Sequence, residues 1–303
     1  PSRGLGDVYK RQSLRFCLPS DDEKGSLFPL EQIEQRNKMA AKPVFPLLMS
    51  MAFPPMLSML VQSMYNIVDS MFVARFSQDA LTAVSLAFPL QNLVLAVAVG
   101  TGVGVNSYIS RKLGAQDQDA ANAAVTHGFL LSFAHAVFFV IFGLVAIRPF
   151  FRLFTDSAEI FSLACDYSYI VVLGAFAQLF HIMVEKLLQA TGRMLAPMLL
   201  QAIGAIANII LDPILIFGLF GAPKMGVTGA AVATVIGQCV ACIVAGICNH
   251  KFNHEVRLSF RGFRPDLKII GHIYAVGIPS IIMQSISSCL LYTSPSPRDG
   301  LLS

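Results

Sequence analysis

Long apolar segments separated by short polar connections run along most of the chain. A segment of about 20 apolar residues can cross the roughly 30 Å hydrocarbon core of a membrane as a helix. A seventh such segment begins near Leu267, and the six complete ones cover residues 44–73, 80–109, 121–147, 161–186, 194–220 and 226–249. Because a spanning backbone must satisfy its own hydrogen bonds, and no alternating lumen-and-lipid pattern occurs, the pattern predicts helices rather than a barrel.

The composition agrees with a membrane protein. Of the 303 residues, 55% are hydrophobic and 13% are charged, and the mean hydropathy is +0.64. Soluble domains contain about 25% charged residues, so this composition disfavours soluble enzymes, nucleic-acid binders and disordered proteins. A net charge of +4 spread over so few charges is too small to indicate nucleic-acid binding. The predicted class is therefore an all-α, polytopic membrane protein.

The basic residues of the connections predict the orientation. Counted from Met39, ten Lys and Arg residues lie on the side of the N-terminal segment and four lie on the other side. Connections rich in Lys and Arg remain in the cytoplasm. We therefore expect a multi-pass protein of the plasma (inner) membrane with a cytoplasmic N-terminus.

Both ends of the chain are predicted to be foreign to the protein. Residues 2–12 (SRGLGDVYKRQ) and 289–299 (CLLYTSPSPRD) can be encoded by opposite strands of one DNA sequence, which two unrelated termini should not be. They also resemble the translation of a transposon-end sequencing adaptor. We therefore expect 1–12 and 289–303 to be non-native. The remaining 276 residues would then stop inside a seventh helix.

These 276 residues are expected to contain one complete lobe. The predicted parts are an N-terminal cytoplasmic segment 13–42, a six-helix bundle 43–249, a basic cytoplasmic linker 250–266 and a truncated seventh helix 267–288. The first and seventh helices open with similar sequences around Pro54 and Pro279, which lie 225 positions apart. A parallel repeat of that length predicts an intact protein of about 450 residues in two six-helix lobes.

Two acidic residues inside the predicted spans are the main candidates for function. Asp69 lies near the outer end of the first span, and Asp212 lies within the fifth. An acid inside a bilayer is a functional hypothesis because ionising it there is costly. The alternative is that Asp69 sits in interfacial water and that Asp212 caps a helix break. Two neighbouring carboxylates in a desolvated site can exchange protons near neutral pH, or hold Na⁺ together with oxygens of Asn208 and Thr234.

Five motifs together resemble the multidrug and toxic-compound extrusion (MATE) transporters. In chain order they are YNIVD, SRKLGAQD, QATGR, NIILDPILIFG and GVTGAAVAT, within about residues 44–288. The resemblance implies two six-helix lobes that face each other and efflux driven by H⁺ or Na⁺. The second lobe is expected to be missing from this chain, so any acid it carries lies outside the prediction.

The resemblance also implies a site in the first lobe. In one subgroup of the family the site acids match Asp69 and Asp212, with partners that match Asn208 and Thr234. The proline of a kinked first helix matches Pro54, and we count Tyr65 and Asn66 as neighbours of the first acid. This set is the predicted place for proton or Na⁺ coupling.

The predicted function is a cation-coupled antiporter that exports organic, cationic or amphipathic, drug-like compounds by alternating access. Ion binding at the acid pair would favour one bend of the first helix, and substrate binding would favour the other. We expect no enzymatic activity and no cofactor beyond the coupling ion. The expected partners are small-molecule substrates, the lipid bilayer and a C-terminal lobe, without nucleic acid.

Several alternatives are weaker. A lipid-linked saccharide flippase of related architecture would need a cationic cavity, whereas almost no Lys or Arg lies within the spans. The chain could also be an inactive fragment. An intramembrane enzyme is disfavoured because no HExxH or GxSxG motif is present. A photoreceptor would need a mid-membrane Lys in the seventh span, and none is there.

Three further features have both a structural and a functional interpretation. Glu185, at the inner end of the fourth span, is a third coupling candidate, although its basic neighbour favours a solvated ion pair. His127, His135 and His181 are expected to be satisfied interior histidines without metal-binding spacing. The glycine run 100–104 (GTGVG) lies inside a span and so indicates close helix packing rather than nucleotide binding.

Overall fold

Helices account for almost all of the described chain. The computed structural model describes residues 44–253, 255–256, 258 and 265–293. Its helices are α1 (Val44–Phe76), α2 (Gln78–Gly114), α3 (Gln118–Arg152), α4 (Ala158–Leu173), α5 (Ala175–Ala190), α6 (Leu195–Phe217), a 3₁₀ turn (Leu219–Gly221), α7 (Val227–Phe252) and α8 (Leu267–Thr293). The predicted all-α class is confirmed for this part. The predictions for 1–12 and 13–42, and parts of those for 250–266 and 289–303, fall outside the described residues.

The chain divides into two units, residues 1–50 and 51–303. Of the first unit, only the opening turns of α1 are described. The second unit contains the rest of α1, the other helices and every candidate site residue.

Up to six membrane spans occur in the described residues. The single helices α2, α3, α6, α7 and α8 are long and apolar enough to cross a membrane. The predicted span 161–186 is instead a broken helix, in which α4 and α5 meet at a 45° bend. Gly174 lies at this bend, and a Cβ there would collide with the side chain of Val235 on α7. Helix α1 covers the first predicted span, 44–73, as one helix of 33 residues, but it does not join this set.

The interior is built from tightly packed small residues and a few large ones. Alanines of α2, including Ala80 and Ala83, pack with Phe139 of α3 and Tyr167 of α4 in the same buried cluster. On α3, the exposed apolar side chains recur every three or four positions, from Phe133 through to Leu144. Such a stripe on one face of a helix is typical of a lipid-facing surface.

The SRKLGAQD motif forms a capped turn between α2 and α3. The Asp117 carboxylate accepts a hydrogen bond from the Ala120 backbone N–H at 3.2 Å and so caps α3. The Lys112 ammonium donates to the same carboxylate at 2.9 Å. These two bonds hold the pKa of Asp117 below its usual range. The motif therefore has a structural role in joining two helices.

Glycines bring α6 and α7 into backbone contact. A Cβ at Gly229 would lie 2.6 Å from a carbonyl oxygen of α6, and one at Gly237 would lie 3.0 Å from the Gly204 carbonyl oxygen. Two helices approach this closely only where side chains are minimal. The close approach places Asn208 of α6 beside Thr234 of α7.

The GTGVG run is the face on which α8 packs against α2. A Cβ at Gly104 would collide with the Ile273 carbonyl oxygen, and a Cβ at Gly277 would lie 3.0 Å from the Gly100 carbonyl oxygen. The prediction of close helix packing is therefore confirmed. The partner helix is α8, which the sequence repeat predicts to open the second lobe.

Two of the predicted interior histidines link α3 to the region around the start of α8. The His127 Nε2 accepts a hydrogen bond from the Asp266 backbone N–H at 2.8 Å, while its Nδ1 lies 2.7 Å from the Ala123 carbonyl oxygen. His135 Nε2 lies 2.9 Å from the Tyr274 hydroxyl. His127 is satisfied as the sequence predicts, whereas no partner for the buried Nδ1 of His135 lies among the described residues.

Candidate functional site

The two acids singled out from the sequence lie side by side inside the bundle. The side chains of Asp69 on α1 and Asp212 on α6 are 8% and 0% exposed. Their carboxyl groups lie close enough to interact with each other electrostatically. Helix α6 continues through Pro213 to Phe217, so Asp212 lies within a helix and does not cap a break. Both carboxyl groups are therefore withdrawn from bulk water.

Asn208 and Thr234 complete a polar cluster with the acids. When the Asn208 amide nitrogen faces the acids, it donates to Asp212 Oδ2 at 2.7 Å, and the amide oxygen accepts from the Thr234 hydroxyl at 3.2 Å and backbone N–H at 3.1 Å. In the opposite orientation the amide nitrogen donates to the Thr234 hydroxyl at 3.2 Å. The hydroxyl can donate or accept, so Thr234 is a partner for the amide in either orientation.

Two tyrosines border the acid cluster. The Tyr65 hydroxyl lies close to Asp69 and Thr234. The Tyr167 hydroxyl accepts a hydrogen bond from the Gln91 amide at 2.9 Å. Helices α1, α2, α4, α6 and α7 therefore all contribute polar groups to this part of the bundle.

Each acid retains capacity for a further ligand. Among the described residues, no donor lies within hydrogen-bonding distance of Asp69 Oδ1 or Asp212 Oδ1. A buried carboxylate oxygen without a partner is costly. A proton shared by the two carboxyl groups, or a cation between them, would remove that cost. No group of three or more His, Cys, Asp or Glu side chains suited to a metal ion occurs in the described residues.

A cavity of about 180 Å³, lined by both polar and apolar side chains, lies next to the acid cluster. Its walls contain eight carboxamide side chains, namely Gln62, Asn66, Gln91, Asn92, Gln178, Gln201, Asn208 and Gln238. Tyr65, His181 and Thr234 add further polar groups, and Phe88 adds an aromatic ring. Among the described lining residues there is no Asp, Glu, Lys or Arg. The cavity is therefore hydrogen-bonding but uncharged.

Some of the amides in this cavity are satisfied by one another. Gln201 and Gln62 are hydrogen-bonded to each other across α6 and α1. By contrast, His181 is 6% exposed, and no partner for its Nε2 lies among the described residues. The same holds for Oε1 of Gln238. The prediction of a satisfied interior histidine is therefore wrong for the Nε2 of His181, which is enclosed without a donor or acceptor among the described residues.

Glu185 is not part of the cavity wall. Its carboxylate accepts hydrogen bonds from Lys186 at 3.4 Å and from the Gln189 amide at 3.0 Å. The side chains of the ion pair are only 15–16% exposed, so the pair is largely buried rather than solvated. Glu185 is therefore held in an ion pair outside the cavity wall, whereas the cluster with Asp69 and Asp212 lies next to the cavity.

The first-helix residues occupy two different positions. Tyr65 and Asn66 line the cavity. Pro54 lies more than two turns earlier in α1, where its carbonyl oxygen accepts a hydrogen bond from the Ser58 hydroxyl at 3.1 Å. Pro54 and Pro55 each lack a backbone N–H, so α1 loses two consecutive donors at this point.

Sequence reasoning missed the carboxamide lining and the place of His181 in it. A signal was present, because carboxamides recur inside otherwise apolar spans of the sequence. Single amides are common in membrane helices, however, and only the arrangement of the helices shows that eight of them face one cavity.

Comparisons with known proteins agree on one family. The MatE family matches residues 54–214. The chain is 30% identical over 257 residues to the multidrug export protein MepA of Staphylococcus aureus, which covers 82% of this chain and 55% of that protein. It is 26% identical over 244 residues to a FAD transporter of Shewanella oneidensis, covering 80% of this chain and 54% of that protein.

The fold comparison gives the same result. A solved structure of a MOP superfamily transporter from Pyrococcus furiosus has a TM-score of 0.75 and 32% identity, and the match covers 81% of this chain and 54% of that one. The chain spans about half the length of the relatives it matches. Because the family match extends over more than half of the sequence and the helical fold agrees, this chain belongs to the MATE family of multi-pass membrane transporters.

Proposed function

We propose that this chain is the N-terminal lobe of a cation-coupled exporter of drug-like molecules. The observation that carries the proposal is the buried pair Asp69 and Asp212, with Asn208 and Thr234 beside it and a cavity next to it. An acid that stays buried in a membrane protein is costly. We therefore expect this acid pair to change its charge or its ligand during the transport cycle.

The coupling ion is H⁺ or Na⁺. A proton fits the hydrogen-bonded arrangement in which the Asn208 nitrogen donates to Asp212 and the two carboxyl groups share one hydrogen. Na⁺ prefers oxygen ligands. It would therefore require the other orientation of Asn208, in which the amide nitrogen faces Thr234 and the amide oxygen faces the acids. The amide can thus serve either ion through a rotation about one bond.

Ion binding would be coupled to the substrate through α1. This helix carries Asp69 and the cavity residues Tyr65 and Asn66 after the proline pair. When the ion binds at Asp69 it would favour one bend of α1 at Pro54, and substrate in the cavity would favour the other. Exchange follows only if both ligands have different affinities for the two states.

Replacement of Pro54 by Ala tests this hinge. The substitution restores one of the two backbone donors that are missing at Pro54 and Pro55, so the helix becomes stiffer at this point. We expect Pro54→Ala to lower the transport turnover about tenfold, while the equilibrium affinity for substrate changes little. Pro149→Ala, in the last turn of α3, is the matched control and should leave turnover intact. Equal turnover in Pro54→Ala and the unsubstituted transporter would refute the hinge.

A second six-helix lobe and a defined orientation belong to the same proposal. The relatives are about twice as long as the matched part of this chain, and the repeat between Pro54 and Pro279 predicts a second lobe of the same design. The excess of basic residues predicts a cytoplasmic N-terminus in the plasma (inner) membrane. In this arrangement the cavity of the lobe would open alternately to the cytoplasmic side and to the outer side of the membrane.

The substrates are proposed to be organic cations or amphipathic molecules. One relative is named a multidrug export protein and another a FAD transporter. The described cavity walls carry no Lys or Arg that would pair with phosphate. This argues against the lipid-linked saccharide flippase and against substrates held by their phosphates.

Ion-driven uptake into liposomes tests the function. We expect the complete transporter in liposomes with an acidic or Na⁺-rich lumen to accumulate ethidium, because the ion leaves as the drug enters. The gradient that drives uptake identifies the ion, and nigericin should abolish uptake driven by H⁺. If neither gradient drives uptake of ethidium, the proposed coupling is wrong.

A further inference from the structure

The end of α1 carries an aromatic ring that the acid cluster does not use. Phe76, the last residue of α1, lies against Gly226, where an added Cβ would be 2.6 Å from the ring. The Lys224 ammonium lies over the same ring, 5.3 Å from its centroid. An aromatic face attracts a cation in this position. In the connection between α6 and α7, Lys224 and Gly226 therefore form a socket for the Phe76 ring.

The socket is tied to the end of α6 by backbone hydrogen bonds. The N–H of Met225 donates to the Leu215 carbonyl oxygen at 3.0 Å. The N–H of Gly226 donates to the Ile216 carbonyl oxygen at 3.2 Å. Carbonyl groups in the last turn of a helix lack partners within the helix, so these bonds also complete the end of α6. Because this turn directly follows the turn that carries Asp212, the socket is held in place relative to that acid.

One face of α1 runs from Phe76 back to the first acid. Asp69 and Phe76 are seven residues, or about two helical turns, apart and so lie on the same face. Between them, the Phe72 ring packs edge-on against the ring of Phe217 on α6, with the centroids 6.4 Å apart. This face of α1 is thus held to α6 and its connection at three successive points, namely Asp69, Phe72 and Phe76.

We propose that Phe76 and its socket form a latch that holds Asp69 beside Asp212. Phe76 and Lys224 are positioning residues, because they act on the acid pair through α1. This inference rests on the proposed function, in which α1 changes its bend during the cycle. With the latch closed, the two acids can share one proton or hold one cation. When Phe76 leaves the socket, Asp69 moves away from Asp212 and the pair no longer binds one ion between them.

Thiol labelling of the purified full chain in detergent tests the latch. Val73 lies between Phe72 and Phe76 on α1 and is 1% exposed. A cysteine placed there reacts with a charged methanethiosulfonate reagent only while the latch is open. In a chain without its native cysteines, the labelling rate of Val73→Cys therefore measures the open population. Ala74→Cys, at the exposed neighbouring position, gives the reference rate because its labelling needs no opening.

The latch variants should raise the labelling rate at position 73 relative to that at 74. We expect Lys224→Gln to raise this ratio about threefold, through loss of one exposed cation–π contact. Phe76→Leu should raise it about tenfold, because the whole ring is lost. Lys224→Arg should retain the ratio, since a guanidinium also binds an aromatic face. Arg152→Gln is the matched control, because Arg152 Cζ lies 6.0 Å from the centroid of the Phe161 ring, away from the latch.

Ions separate this inference from the proposed coupling. An ion that binds both acids binds only the closed latch, so Na⁺ or a lower pH should slow labelling at position 73 relative to 74. No effect of either ion, together with faster labelling in Lys224→Gln, would count against the coupling alone. The latch is overturned if Lys224→Gln or Phe76→Leu leaves the ratio unchanged. It is also overturned if Lys224→Arg or Arg152→Gln raises the ratio as much as Lys224→Gln.

Discussion

Asp212→Asn is expected to abolish ion-driven efflux from cells that express the complete transporter, reducing it to the level of cells without it. The substituted side chain has nearly the same shape, so the packing of α6 around position 212 should persist. An amide does not ionise, however, and cannot exchange a proton or neutralise Na⁺. Because Asp212 is fully buried against Asp69 and Asn208, no other described acid takes its place in the cluster.

Ethidium efflux in whole cells is the measurement for this prediction. Asp156→Asn is the matched control because Asp156 is an exposed acid in the connection between α3 and α4, and it should leave efflux unchanged. Ethidium binding to the purified Asp212→Asn protein should be retained, which shows that the variant is folded. Normal efflux by Asp212→Asn would remove Asp212 from the coupling site.

Gly104→Val is expected to separate α8 from α2. A single Cβ at this position already collides with the Ile273 carbonyl oxygen, and backbone atoms cannot turn aside as a flexible side chain can. Overpacking of a close contact costs about 1–3 kcal/mol. Since α8 begins the proposed second lobe, the effect in the complete transporter should be a weakened contact between lobes.

Chemical cross-linking between the helices measures this separation. Tyr108 on α2 and His272 on α8 have ring centroids 5.9 Å apart, so cysteines at these positions, in a chain without its native cysteines, should react with a short bifunctional reagent. Gly104→Val should remove most of the cross-linked product. Gly271→Val should retain it, because no atom lies within 4 Å of a Cβ at Gly271. Equal yields in the two variants would contradict the packing described for α2 and α8.

Much of the fold follows from the order of apolar and polar residues. The length of each apolar segment predicts a spanning helix because an unsatisfied backbone cannot face lipid, and helices occur at all seven predicted places. The break at Gly174 was not predictable from hydropathy, since the segment is apolar on both sides of it. The bend occurs where Gly174 lets α7 approach, which is a property of two helices and not of one sequence segment.

The sequence by itself determined that this chain is a multi-pass helical membrane protein, and it singled out Asp69, Asp212, Asn208 and Thr234. It could do so because charged and amide groups are costly in a bilayer and therefore conspicuous. Only the tertiary structure decided that these residues meet, since glycine contacts between α6 and α7 bring Asn208 next to Thr234 and helix packing places Asp69 beside Asp212. It also decided that His181 borders a cavity whereas His127 and His135 are hydrogen-bonded within the protein. The physical reason is that a sequence gives the cost of burying a polar group, whereas the packing of other helices decides which partner offsets it.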